Sequence, residues 1–231
     1  MRTADASPRR PGPALCCLLP VPALGGAAGM WWWPESAAGY TLYAFSKVLL
    51  LALPLFWHWR VDGGAWRVNR CSRRGMAEGL ASGLLMFAVI WAFGLLAANR
   101  LVDVGDLSAR LAATGFHSLP FFLLAGLYWS TVNAVLEEMV WRWFVLRQIR
   151  GLSVAPRPAA LLSAAAFTLH HLVVVRAWAD WPETLLLNAG VFAAGWVWAR
   201  LTLRHRSVLP ACLSHILADL GLVSLGVYLF F

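Results

Sequence analysis

Charge is scarce in this 231-residue sequence: 13% of residues are charged, eleven are acidic, and one lysine accompanies eighteen arginines. An ordinary soluble domain carries about 25% charged residues, so the usual solvated surface is excluded. Cysteine is equally sparse. Cys16, Cys17, Cys71 and Cys212 show no CxxC or other metal-ligand spacing, which excludes a cysteine zinc site and leaves them as packing residues. HExxH, GxSG and GxGD elements are absent, which removes the sequence signatures of the common metallo-, serine and aspartate intramembrane proteases. No internal repeat recurs at a fixed period.

What is present is apolar. Sixty per cent of the residues are hydrophobic and the mean hydropathy is +0.65, so lipid is the expected solvent. Fourteen tryptophans reinforce this, because an indole ring suits the interface between membrane and water. Trp31, Trp32 and Trp33 read as one such anchor.

A bilayer core needs about 20 apolar residues per helix. Seven segments supply them, at 14–33, 40–59, 76–98, 119–146, 159–175, 182–199 and 208–231. The expected fold is all-α, a polytopic membrane helix bundle of seven transmembrane helices. The number falls to six if the first segment, interrupted by Pro20 and Pro22, is a signal peptide or does not span. Residues 1–13 read as a cytosolic tail and 14–231 as a single membrane-embedded domain.

The net charge of +8 would suggest nucleic acid in a soluble protein, but here the arginines fall between apolar segments, so no nucleic-acid partner is expected. Alternate loops hold Arg2, Arg9, Arg10, Arg60, Arg67, Arg70, Arg73, Arg74, Arg147, Arg150, Arg157, Arg200, Arg204 and Arg206. The opposite loops hold Arg100, Arg110 and Arg176, offset by Asp103, Asp106, Asp180 and Glu183. The positive-inside rule then puts the N-terminus in the cytosol and the C-terminus outside. The chain reads as an integral protein of a bacterial inner membrane, its partners being the bilayer and a membrane-associated protein or peptide.

Against this background the ionisable residues inside the spans stand out, since a charge at the membrane centre costs at least about 2.5 to 3.5 kcal/mol. Glu137, Glu138 and Arg142 fall in the fourth span, His170 and His171 in the fifth, His215 and Asp219 in the seventh. At 1.5 Å of rise per residue, Glu137 lies about 15 Å from Arg147, His171 about 18 Å beyond Ala159, and His215 and Asp219 about 10 and 17 Å beyond Val208. Three helices are thus expected to meet in one layer.

Spacing adds detail. Glu138 and Arg142 share a helix face and are placed to form an ion pair, while Glu137 projects about 100° away without a local cation. Phe167 and His171 share a face, as do His215 and Asp219; His170 is expected to point elsewhere. Together these residues supply a base to activate water and donors to hold an oxyanion.

These residues resemble the CPBP family of membrane proteases, also called the type II CAAX prenyl endopeptidase-like or ABI family, whose motifs are EExxxR, FxxxH and HxxxN or HxxxD. All three occur in order over residues 128–222. The resemblance implies an intramembrane glutamic endopeptidase in which Glu137 and His171 activate water and His215 and Asp219 stabilise the oxyanion. Glu138, Arg142 and Phe167 would shape the site. It implies no metal and no other cofactor. Asp219 stands where other members carry Asn, and an ionised carboxylate cannot donate to an oxyanion as an amide can.

The residues alone leave other classes open. Glu137, His171 and His215 could ligate zinc in a membrane hydrolase. The same buried cluster could relay protons in a transporter, or belong to a catalytically silent binding or immunity protein.

Overall fold

The computed structural model describes residues 8–64, 70–97, 105, 108–109 and 118–231. Arg2, Arg67, Arg100, Asp103, Asp106 and Arg110, used in the loop-charge comparison, lie outside them. Every element among the described residues is helical. Seven helices are long and apolar enough to cross a membrane: α1 (Pro11–Trp32), α2 (Ala37–Val61), α4 (Leu119–Gly151), α5 (Pro156–Arg176), α6 (Trp181–His205), α7 (Leu209–Phe230) and α3 (Arg73–Ala97). The polytopic all-α expectation holds, and the interrupted first segment has the length and composition of a span.

Prolines mark helix starts. Pro11, Pro156, Pro182 and Pro210 occupy first-turn positions, where the missing N–H costs no hydrogen bond. Boundaries differ from the sequence expectation mainly where a helix runs on into polar residues. α6 continues six residues past Ala199 to His205, because arginines suit a last turn that has left the hydrocarbon. Arg206, in left-handed backbone at φ 51°, then ends it. α1 begins at Pro11, three residues into the expected tail.

The outside of the bundle is apolar and much of the inside is polar, the reverse of a soluble protein. Leu85, Leu96 and Leu124 are 65%, 72% and 66% exposed, whereas Glu138, Ser163, Thr184 and Ser214 are fully buried. With no hydrophobic drive between helices in lipid, close approach of small residues holds them together. Ala159, Ala160, Ala164, Ala199 and Ala211 are fully buried at helix crossings.

The seam between α3 and α7 is a close crossing of this kind. A Cβ on Gly79 would lie 2.5 Å from the Pro210 carbonyl oxygen, and one on Gly83 would lie 2.8 Å from Leu217 Cβ. Gly79-Leu80-Ala81-Ser82-Gly83 is a GxxxG element, a signal of close helix packing absent from the sequence reading above.

α4 is the hub, packed against α1, α2, α5, α6 and α7. Its 33 residues are about 50 Å long at 1.5 Å per residue, more than a bilayer core requires. One end is fastened by Asp62, which is fully buried after α2. Asp62 accepts from the Gln148 side chain at 3.1 Å and from the Arg9 backbone N–H at 3.1 Å, and pairs with Arg147 at 3.6 Å. Those contacts tie α1, α2 and α4 together at the arginine-rich end.

Candidate active site

Glu137 and Glu138 lie in a short α-helical stretch, Ala134–Glu138, between two π-helical stretches, Trp129–Asn133 and Met139–Val145. Wider π turns re-aim the side chains that follow and cluster at functional sites. Here the interruptions bracket the two glutamates.

The two carboxylates meet different surroundings. Glu138 Oε1 lies 3.1 Å from Arg142 Nη1, an ion pair by distance that lacks the angle of a hydrogen bond, and 3.0 Å from His215 Nδ1. The carboxylate is an acceptor in that ion pair, so His215 Nδ1 carries the hydrogen and donates. Arg142 reaches further, donating from Nη2 to the Gly195 carbonyl at 3.2 Å. Its guanidinium lies 4.4 Å from the Phe167 ring centroid and 5.1 Å from that of Trp198. A Cβ on Gly195 would stand 3.0 Å from Arg142 Nη2, so the glycine leaves the arginine its space.

Glu137, by contrast, has no arginine or lysine within ion-pair distance among the described residues; its ion contact is a long 3.9 Å to His215 Nε2. It opens on a cavity of about 220 Å³ also lined by Tyr43, Lys47, Tyr128 and Asn133. Lys47 and Tyr43, four apart on α2, form a cation–π pair at 5.2 Å. The sequence reading passed over this wall from α2, although the chain's sole lysine inside a span was the available signal.

On α5, His171 Nδ1 lies 3.0 Å from the Phe167 carbonyl oxygen. A carbonyl only accepts, so Nδ1 carries the hydrogen and Nε2 of the neutral ring is left as an acceptor. The Phe167 ring packs against His171 at 4.4 Å and approaches His215 at 6.2 Å, so it walls the site as its motif position suggests.

His170 does not point away as its spacing predicts. Its ring sits 4.0 Å from that of His171 and stacks on Trp141 at 5.1 Å, with 3° between planes. Ligand atoms of Glu137, His170 and His171 all lie within 4.8 Å of one another. α4 crosses α5 closely enough to reach two successive residues, so 100° of helical rotation does not remove His170. His170 Nδ1 is buried without a hydrogen-bond partner among the described residues. The trio suits a divalent metal in donor chemistry, and its third member is His170 where the spacing had suggested His215.

On α7, His215 is held on both sides. Trp198 stacks on it at 3.9 Å and donates from Nε1 to the Ser214 hydroxyl at 3.0 Å, while Ser82 of α3 donates to the same hydroxyl at 3.0 Å. His215 Nε2 faces Asp219 Oδ2 at 3.6 Å. Asp219 is the more open group, its side chain 21% exposed, and it sits at the rim. The structure thus brings together Glu137, Glu138, Arg142, Phe167, His171, His215 and Asp219, and adds Trp141, His170, Trp198, Ser214 and Lys47. Trp196, two residues before Trp198 on α6, faces a separate groove.

Residues 119–221 match the family model described as Rce1-like, type II CAAX prenyl endopeptidase Rce1-like. No curated protein and no solved structure matches the chain.

Proposed function

From the match of residues 119–221 to the type II CAAX prenyl endopeptidase Rce1-like family, we propose that the chain is an intramembrane glutamic endopeptidase. Its substrates are membrane-associated proteins or peptides. The carrying observation is the inequality of the two glutamates. Glu138 is committed to Arg142 and His215, while Glu137 faces a cavity and an imidazole acceptor.

Glu137 and His171 are the base pair for water. Ligand atoms of the two side chains lie no more than 4.8 Å apart, close enough for one water to contact both with hydrogen bonds of about 2.8 Å. Glu137 takes the proton as the water oxygen attacks the scissile carbonyl, and returns it to the leaving amine. Burial excludes competing bulk water.

In its doubly protonated form, favoured by the Glu137, Glu138 and Asp219 carboxylates around it, His215 is the oxyanion donor through Nε2. Glu138 fixes its orientation through Nδ1 and Trp198 fixes its ring plane, so Nε2 is presented with little freedom, the preorganisation that lowers a barrier. Asp219 supports that donor, where another member's Asn would donate directly. Arg142 holds Glu138 and does not reach substrate.

Residues 14–231 act as one protease domain in a bacterial inner membrane, with residues 1–13 and the arginine-rich loops in the cytosol and the C-terminus outside. Processing or sorting of C-terminally anchored proteins fits this setting. Membrane proteomes of cells carrying wild type or Glu137→Gln test the proposal: a precursor accumulating only in the variant is expected, and identical proteomes with full activity of purified Glu137→Gln would overturn it.

One observation favours a second reading, the proximity of Glu137, His170 and His171. Those residues would hold zinc in a metal-dependent hydrolase, with the metal polarising the carbonyl and lowering the pKa of bound water. Loss of activity on strong chelation, with stoichiometric zinc in the purified protein, would replace the metal-free mechanism.

A further inference from the structure

A groove of about 550 Å³, separate from the active site, lies at the arginine-rich end of the bundle, where α5, α6 and α3 meet. It is lined by Arg157, Trp196, Arg200, Leu201, Arg204 and Glu78, among others. The volume lies within the range of small-molecule sites. Three arginines face a single carboxylate, and that carboxylate is already engaged. Glu78 accepts from Arg74 at 3.0 Å and pairs with Arg204 at 3.3 Å and His205 at 2.9 Å. Arg157 and Arg200 have no ion-pair partner among the described residues, and both are exposed.

The remaining surface of the groove is apolar, formed by Val197, Leu201, Leu203 and Pro156. Trp196 stands at its edge, 38% exposed, with the Arg200 guanidinium 5.6 Å from its ring centroid. An indole beside unpaired guanidinia, over an apolar floor between transmembrane helices, matches a molecule that is anionic at one end and hydrocarbon at the other. Basic pockets between helices at the cytoplasmic face take anionic lipid headgroups in this way, and guanidinium forks fit phosphate oxygens. A soluble anion would gain nothing from Val197 and Leu201, and a neutral lipid would leave two arginines unanswered.

We propose that this groove is a binding site for an anionic phospholipid, whose phosphate is held by Arg157 and Arg200 and whose first acyl methylenes lie along Val197 and Leu201. Arg204 is already paired with Glu78 and forms the wall. α6 also carries Trp198, which stacks on His215, so a bound lipid fastens the cytosolic end of a helix that braces the active site. The site stands on its own residues and needs no assumption about what the enzyme cleaves.

The test is native mass spectrometry and thermal unfolding of the purified full chain, titrated in neutral detergent with phosphatidylglycerol, phosphatidylcholine or inorganic phosphate. Wild type is expected to retain phosphatidylglycerol and to melt at higher temperature with it, with no such response to the other two. Arg157→Gln/Arg200→Gln is expected to weaken phosphatidylglycerol binding by about tenfold or more, and Arg176→Gln, at the opposite end, to leave it unchanged. Should the double variant not fold, Arg200→Gln alone carries the same comparison with a smaller loss. Equal retention by wild type and variant, or an equal response to phosphatidylcholine, would overturn the proposal. A response matched by inorganic phosphate would reduce the groove to an ordinary anion site and overturn the lipid assignment.

Discussion

Glu138 on α4 and His215 on α7, 77 positions apart in the chain, meet at 3.0 Å, and through that contact the first and third motifs become one unit. Arg142 closes the unit from the other side of the same carboxylate oxygen. A carboxylate shared between a guanidinium and an imidazole positions both and is spent in doing so. Division of labour between neighbouring glutamates follows, with distinct expected outcomes for each.

Glu137→Gln removes the proposed base without changing shape. Peptide cleavage by the purified protein is expected to fall on the order of 10²- to 10⁴-fold, with melting temperature nearly unchanged. Activity within a few-fold of wild type would sink the assignment of Glu137.

Glu138→Ala leaves Arg142 buried beside no carboxylate. Breaking a buried pair from one side costs about 3–5 kcal/mol, so this variant is expected to unfold at clearly lower temperature or to fail to accumulate. Glu138→Gln, which keeps an acceptor for His215 Nδ1, is expected to recover much of the stability while kcat stays reduced. An unchanged melting temperature in Glu138→Ala would contradict the structural role.

His170→Ala separates the two chemistries. Without metal, His170 packs on Trp141 and touches no reacting atom, so activity is expected to stay within about tenfold of wild type. Were it a zinc ligand, both bound metal and activity would disappear, read by elemental analysis beside the cleavage assay.

Asp219→Asn is expected to retain activity, since an amide preserves contact with His215 and adds a donor. Asp219→Ala is expected to lose activity mainly in kcat. Equal activity of the two variants would remove Asp219 from the site.

Much of this was legible because lipid enforces simple rules. Apolar segments of bilayer length anticipated the seven long helices among the described residues, and spacing and depth anticipated that Glu137, Glu138, Arg142, His171, His215 and Asp219 would lie near one another. What escaped is tertiary. That His170 joins His171 depends on how closely α4 crosses α5, which spacing on one helix does not encode. The π turns around Ala134–Glu138 have no signature in apolar periodicity. Trp198 was one of several tryptophans until its ring was seen stacked on His215, and Lys47 was set aside as a minor part of the charge count.

The glycine seam carries a last consequence. α3 contributes none of the three motifs, yet Gly79 and Gly83 set how deeply α7, and with it His215, can seat against the bundle. A chain with every motif intact and leucine at position 83 would pass any motif search and still crowd Leu217 and Ser214, displacing the helix that carries His215. Inheritance of activity in such proteins is therefore to be judged on a helix that contributes nothing to the chemistry.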